Sequence, residues 1–99
     1  MTAQKEALLM DEKDNVAVVL AETAENEEIR IIHQKQEAGR MTVKEPIGIY
    51  HKVALRPIRP GDKIIKYGEI IGMAVKPIAA GEHVHVHNIR STFGEKNEN

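Results

Sequence analysis

The sequence has no cysteine. Within this chain, that excludes disulfides, thiolate catalysis, iron–sulfur ligation and cysteine-based zinc sites. It has no tryptophan, one phenylalanine and two tyrosines, so aromatic residues make up only 3% of its 99 positions. A core must be assembled from Val, Ile, Leu and Ala, which favours strands over a large aromatic pocket. Neither sign of charge dominates. Fourteen basic and 15 acidic residues leave a net charge of −1, without the basic excess that nucleic acid or an anionic membrane surface would attract. No apolar run approaches the roughly 20 residues of a membrane-spanning helix. The opening MTAQKEALLMDEKDN holds no apolar stretch of signal-peptide length. Also missing are G-x-S-x-G, H-E-x-x-H, a glycine-rich phosphate loop and a dinucleotide fingerprint. The expectation is one small cytoplasmic domain with a modest aliphatic core.

What is present is a series of short, β-branched pieces separated by Gly, Pro and Asn. They are residues 15–21 (NVAVVLA), 29–33 (IRIIH), 41–44, 51–55 (HKVAL), 63–67 (KIIKY), 70–75 (IIGMAV) and 83–87 (HVHVH). No long window sustains a 3.6-residue period, and the weak helix candidate is the first ten residues. The chain therefore reads as all-β, with residues 1–13 a flexible polar N-terminus, 14–90 the domain and 91–99 a flexible charged tail.

An internal repeat organises this domain. Residues 54–64, ALRPIRPGDKI, align with residues 74–84, AVKPIAAGEHV, and Ala, Pro, Ile and Gly recur at the same places. A degenerate copy starts at Val19 (VLAETAENEEI), with Asn26 where the others carry Gly61 and Gly81. Each copy reads as a strand, a bend, an apolar residue and a turn at positive φ, which glycine adopts freely and asparagine tolerates best among the rest. The acidic residue that follows is suited to accept hydrogen bonds from the turn's amides. The predicted architecture is a stack of strand–turn–strand corners.

Chemistry concentrates in the histidines. His83, His85 and His87 alternate with Val84 and Val86, so a continuous strand would put three imidazoles on one face and both valines in the core. Such a row could ligate a metal, shuttle protons, bind a carboxylate, or simply form a solvated strand face. The outer two rings of a straight strand are too far apart for one ion, so two of them plus a group from elsewhere is the better arrangement. His51-Lys52 and Lys66-Tyr67-Gly68 are two further clusters. Together with Asn88, these groups suit a polyhydroxy carboxylate if the corners bring them to one side.

The strings HKVAL, IIKYGEIIGMA and especially IAAGEHVHVHN, with the earlier DNVAVVLAETAENEE, resemble the N-terminal domain of the altronate dehydratase family. This family also includes galactarate dehydratases and sulfolactate sulfo-lyases. The resemblance covers about residues 14–90. It implies a SAF-type, β-clip fold, either fused to a large catalytic domain or standing as a separate small subunit, and the length here fits the latter. It implies a lyase: water leaves a sugar acid to give a 2-keto-3-deoxy acid, or sulfite leaves in the sulfo-lyase branch. A divalent metal, typically iron(II), is expected mostly on the large partner subunit. A homo-oligomer is compatible with it, and a purely structural or carbohydrate-binding module, or a metal carrier, is the alternative. Carried over by position, His85 and His87 become the catalytic candidates. His51, Lys52, Lys66, Tyr67 and Asn88 become the substrate contacts, and His83, His85 and His87 the metal ligands. The family tends to have glycine before the HK pair where this chain has Tyr50, which implies a reshaped loop and a displaced His51.

Overall fold

A computed structural model describes residues 4–91. Those residues form nine strands in two sheets and, among them, no helix. The strands are β1 (Lys5–Leu8), β2 (Val16–Val19), β3 (Glu28–His33), β4 (Gln36–Thr42), β5 (Lys52–Ala54), β6 (Lys63–Lys66), β7 (Glu69–Ala74), β8 (His83–Val84) and β9 (Ile89–Ser91). One sheet has the order β4-β3-β1-β2-β5-β8 and the other β6-β7-β9. The all-β expectation holds, and no described helix is long and apolar enough to cross a membrane.

The core follows from the aliphatic palette. β2 reads VAVV and is buried on both faces, as an uninterrupted apolar run requires. Ala17 and Val19 join Ala7, Ile29, Ile31, Val43, Ile47 and Val53 in one cluster. Val16 joins Ala54, Ile58, Ile64, Ala74, Ile78 and Val84 in a second. Because side chains alternate along a strand, β2 and β5 each feed both clusters and tie the two halves together.

The corner repeat is real, and it has four members. The three copies expected at residues 19–29, 54–64 and 74–84 are joined by a fourth at residues 43–53, VKEPIGIYHKV. The fifth residues of the copies, Thr23 and Ile47 in one pair, Ile58 and Ile78 in the other, bridge each other. The eighth residues, Asn26, Tyr50, Gly61 and Gly81, all have positive φ. Each of their N–H groups donates to the first carbonyl of the paired copy, at 2.8–2.9 Å. In three corners the ninth residue, Glu27, Asp62 or Glu82, turns its carboxylate back to accept the amide of the sixth, at 2.7–2.9 Å.

Three expectations are corrected. Residues 5–8 are neither frayed nor helical: they form β1, inside the large sheet, antiparallel to β2 and parallel to β3, with Ala7 fully buried. The register explains this, because a four-residue strand needs one apolar anchor between two partners. The 83–87 strand stops at Val84, so Val84 is core but Val86 is 79% exposed. Residue 91 belongs to β9 rather than to a tail; positions 92–99 and 1–3 lie outside the described residues.

Candidate functional site

The corners bring four of the five histidines together. His51 is the ninth residue of the second corner and His83 the tenth of the fourth, beside the pairing of β5 with β8. His51 Nδ1 and His83 Nε2 are 2.8 Å apart and share a hydrogen bond, one nitrogen donating. The ring of His85 stacks on His51 with centroids 4.4 Å apart, and on His83 at 5.2 Å. His87 tilts against His83 at 5.2 Å and is exposed. One nitrogen from each of His51, His83 and His85 lies within 4.8 Å of the others. The expected metal set was His83, His85 and His87, with spacing favouring two of these plus a group from elsewhere. The geometry instead brings His51 to the centre and leaves His87 at the margin.

This convergence depends on ending the strand at Val84. The Asn88 amide folds the chain: Oδ1 accepts the His85 N–H at 3.0 Å, and Nδ2 donates to the His83 carbonyl at 2.7 Å. The side chain is only 4% exposed, so Asn88 shapes the loop from inside rather than facing outward as a substrate contact. Glu45, which the sequence reading did not single out, accepts the backbone N–H of His83 at 2.9 Å. Tyr50 does not displace His51. At a φ of 68° it keeps the same corner bond, to Val19, as its three counterparts. His51 occupies the ninth corner position, where the other three corners have the carboxylate.

Electrostatics disfavours the charged form of His83 and His85. Burial, and then the neighbouring His51, His87 and His85, push His83 down to about 4, with Glu45 opposing weakly. His85 is also lowered, by burial first and then by His51, Lys52 and His87. Both are neutral imidazoles at physiological pH, the form that binds metals and accepts protons. Lys52, half-buried on β5, is lowered by burial and by the charge of Lys66. Lys66 lies 5.6 Å from the centre of the Tyr67 ring. The hairpin carrying both is pinned by Asp14, 1% exposed, whose carboxylate accepts the amides of Tyr67 and Gly68 at 2.9 and 2.8 Å. Asp14 was missed because it reads as the polar edge of the first apolar run. Two clefts, of about 370 and 360 Å³, lie away from the rings. The larger approaches them only at Gly48, on which the His51 ring rests.

The family model for the altronate/galactarate dehydratase SAF domain matches residues 5–92. The chain belongs to that family. This SAF domain is 43% identical over 82 residues to altronate dehydratase of Escherichia coli K12, covering 83% of the chain and 16% of that protein. It is 34% identical over 91 residues to altronate dehydratase of Bacillus subtilis 168, covering 92% of the chain and 17% of that protein. It is also 36% identical over 83 residues to the (2R)-sulfolactate sulfo-lyase subunit alpha of Chromohalobacter salexigens, covering 82% of the chain and 88% of that subunit. The SAF domain thus spans about a sixth of the altronate dehydratases it matches and most of the sulfo-lyase subunit.

Proposed function

We propose that this chain is the SAF component of a carbon–oxygen lyase of the altronate dehydratase type, which dehydrates a sugar acid to a 2-keto-3-deoxy acid together with a large catalytic polypeptide. The observation carrying this reading is the convergence of His51, His83 and His85, all half-exposed, beside Lys52 in a domain of that family. Such an elimination removes the proton α to the carboxylate, breaks the C–O bond at the β carbon, and releases the hydroxyl as water after it gains a proton. The enol left behind tautomerises to the 2-keto acid. It therefore needs a base, an acid and cations near the carboxylate.

This chain has groups for each requirement. His87, exposed at the edge of the cluster, is the imidazole suited to proton transfer when His85 holds the metal, and His85 shares that role in its absence. Lys52 and Lys66 offer ammonium groups to the carboxylate, and an arriving anion would reinforce the charge that burial weakens on Lys52. His51 and Tyr67 add hydrogen-bonding groups for substrate hydroxyls. The fit to a divalent metal is good: three imidazole nitrogens converge, and imidazole suits iron(II) and its borderline neighbours. His51, His83 and His85 would hold the ion, His87 standing aside, with the remaining ligands supplied by the large polypeptide. A bound ion would provide Lewis-acid stabilisation of the enediolate. Acting on a soluble metabolite, such an enzyme would work in the cytoplasm.

One observation favours a second reading, a small subunit of a sulfolactate sulfo-lyase: the match covers 88% of such a subunit. Assaying the chain with the large dehydratase-like polypeptide of the same genome, on altronate, galactarate and sulfolactate, separates the two. The chain alone is expected to be inactive, and the mixture to turn over one of the first two. Release of sulfite would select the second reading. Full turnover by the 99-residue chain alone would overturn the division of labour.

A further inference from the structure

The second corner departs from its three counterparts at its eighth and ninth positions and in the loop that leads to them. Its turn loop reads Gly48-Ile49-Tyr50, against Ala24-Glu25-Asn26, Arg59-Pro60-Gly61 and Ala79-Ala80-Gly81. Tyr50 holds a φ of 68°, a left-handed conformation that Gly or Asn adopts readily and a bulky residue only under strain. The turn needs this φ for the corner bond to Val19, but it does not need a tyrosine: the side chain is 68% exposed, and Ile49 beside it is 43% exposed. Val86, 79% exposed, lies between His85 and His87. The loops bearing these side chains meet through the stacked rings of His51 and His85, 4.4 Å apart. Tyr67, Ile70 and Val75 are also exposed, on or beside the other sheet, and none adjoins a histidine in sequence.

We infer that Ile49, Tyr50 and Val86 are the anchors by which this domain docks onto the large catalytic polypeptide, with the histidine cluster closed between them. The inference rests on the reading above and specifies its interface. Tyrosine is the residue type that anchors interfaces, with a broad apolar body and a hydroxyl that finds a partner. Two observations identify the occupant as the catalytic polypeptide rather than a second copy. The matched dehydratases carry about five-sixths of their length beyond this domain. And the anchors border the imidazoles, which lie on an open surface where a catalytic group must be walled from water by something else.

The test uses the full chain and the large dehydratase-like polypeptide of the same genome. Tyr50→Asn copies the first corner's residue at that position and so preserves the turn, and Val86→Ser changes an exposed side chain. Both are expected to melt with the wild type. Each is expected to weaken the Kd for the large polypeptide at least tenfold while leaving kcat at saturating partner unchanged. If wild type binds and neither substitution weakens binding, the docking surface is wrong and the two-polypeptide reading stands. A rise in the substrate KM with unchanged partner affinity would likewise overturn it, making these side chains substrate contacts. If the wild-type chain does not bind the large polypeptide, both readings fall.

Discussion

At the scale of single residues, His51 shows how one change within a repeat exchanges a turn-closing carboxylate for a member of an imidazole cluster. Glu27, Asp62 and Glu82 each close their own turn with a carboxylate–amide hydrogen bond. At His51 that bond is given up, and the imidazole swings instead to His83 and His85. His51→Glu should restore the cap. We expect thermal stability to be unchanged or raised by up to about 1 kcal/mol, while activity of the reconstituted enzyme falls about a hundredfold or more. A melting curve and an assay on the same sample check both. His83 makes a second prediction, for the metal-free chain. Its folded value of about 4 lies below the ordinary 6.5 of an unfolded histidine, so the unfolded chain binds more protons between those values. Stability from this group is fully present above about 6.5, falls as pH drops through the window, and levels off below about 4. His85, shifted the same way, steepens the fall. Urea titrations at pH 7.5 and 5 should show the loss, and His83→Asn should reduce it.

At the scale of elements, the corner was legible where its punctuation was regular. Pro57 and Pro77, with Gly61 and Gly81, exposed two copies at once, and Asn26 revealed a third because asparagine shares glycine's tolerance of positive φ. The copy at 43–53 was hidden because Tyr50 and His51 replace the two residues that mark a turn. Strand β1 was hidden by its charged first half, where Lys5 and Glu6 pair with Glu27 and Arg30 on the sheet surface. Most of β4 was hidden because Gln36–Arg40 is solvent-facing and held by hydrogen bonds to β3 rather than by burial. The histidines stood out in the sequence, but alternation alone predicted a straight row. A single buried amide, Asn88, bends that row into a cluster. Two glycines separate turn strain from packing. Gly61 and Gly81 share a φ of 91°, yet a Cβ would meet nothing within 4 Å at Gly61 and would lie 2.6 Å from the Thr42 carbonyl oxygen at Gly81. Gly61→Ala should cost about 1 kcal/mol and Gly81→Ala clearly more, as read from paired denaturation curves.

At the scale of the whole molecule, the two clusters share β2 and β5, so neither half retains its core when the other opens. Unfolding should be a single cooperative transition, with calorimetric and van't Hoff enthalpies equal; two resolved transitions would show that the halves are independent. The corner pairs have a kinetic consequence. Thr23 meets Ile47, and Ile58 meets Ile78, so each half closes on itself over a short span of chain, the kind of closure that forms early. His51 belongs to the first half, and His83, His85 and His87 to the end of the second. The candidate site therefore sits on the seam, complete only after both halves have joined, and it is the first thing lost when they part.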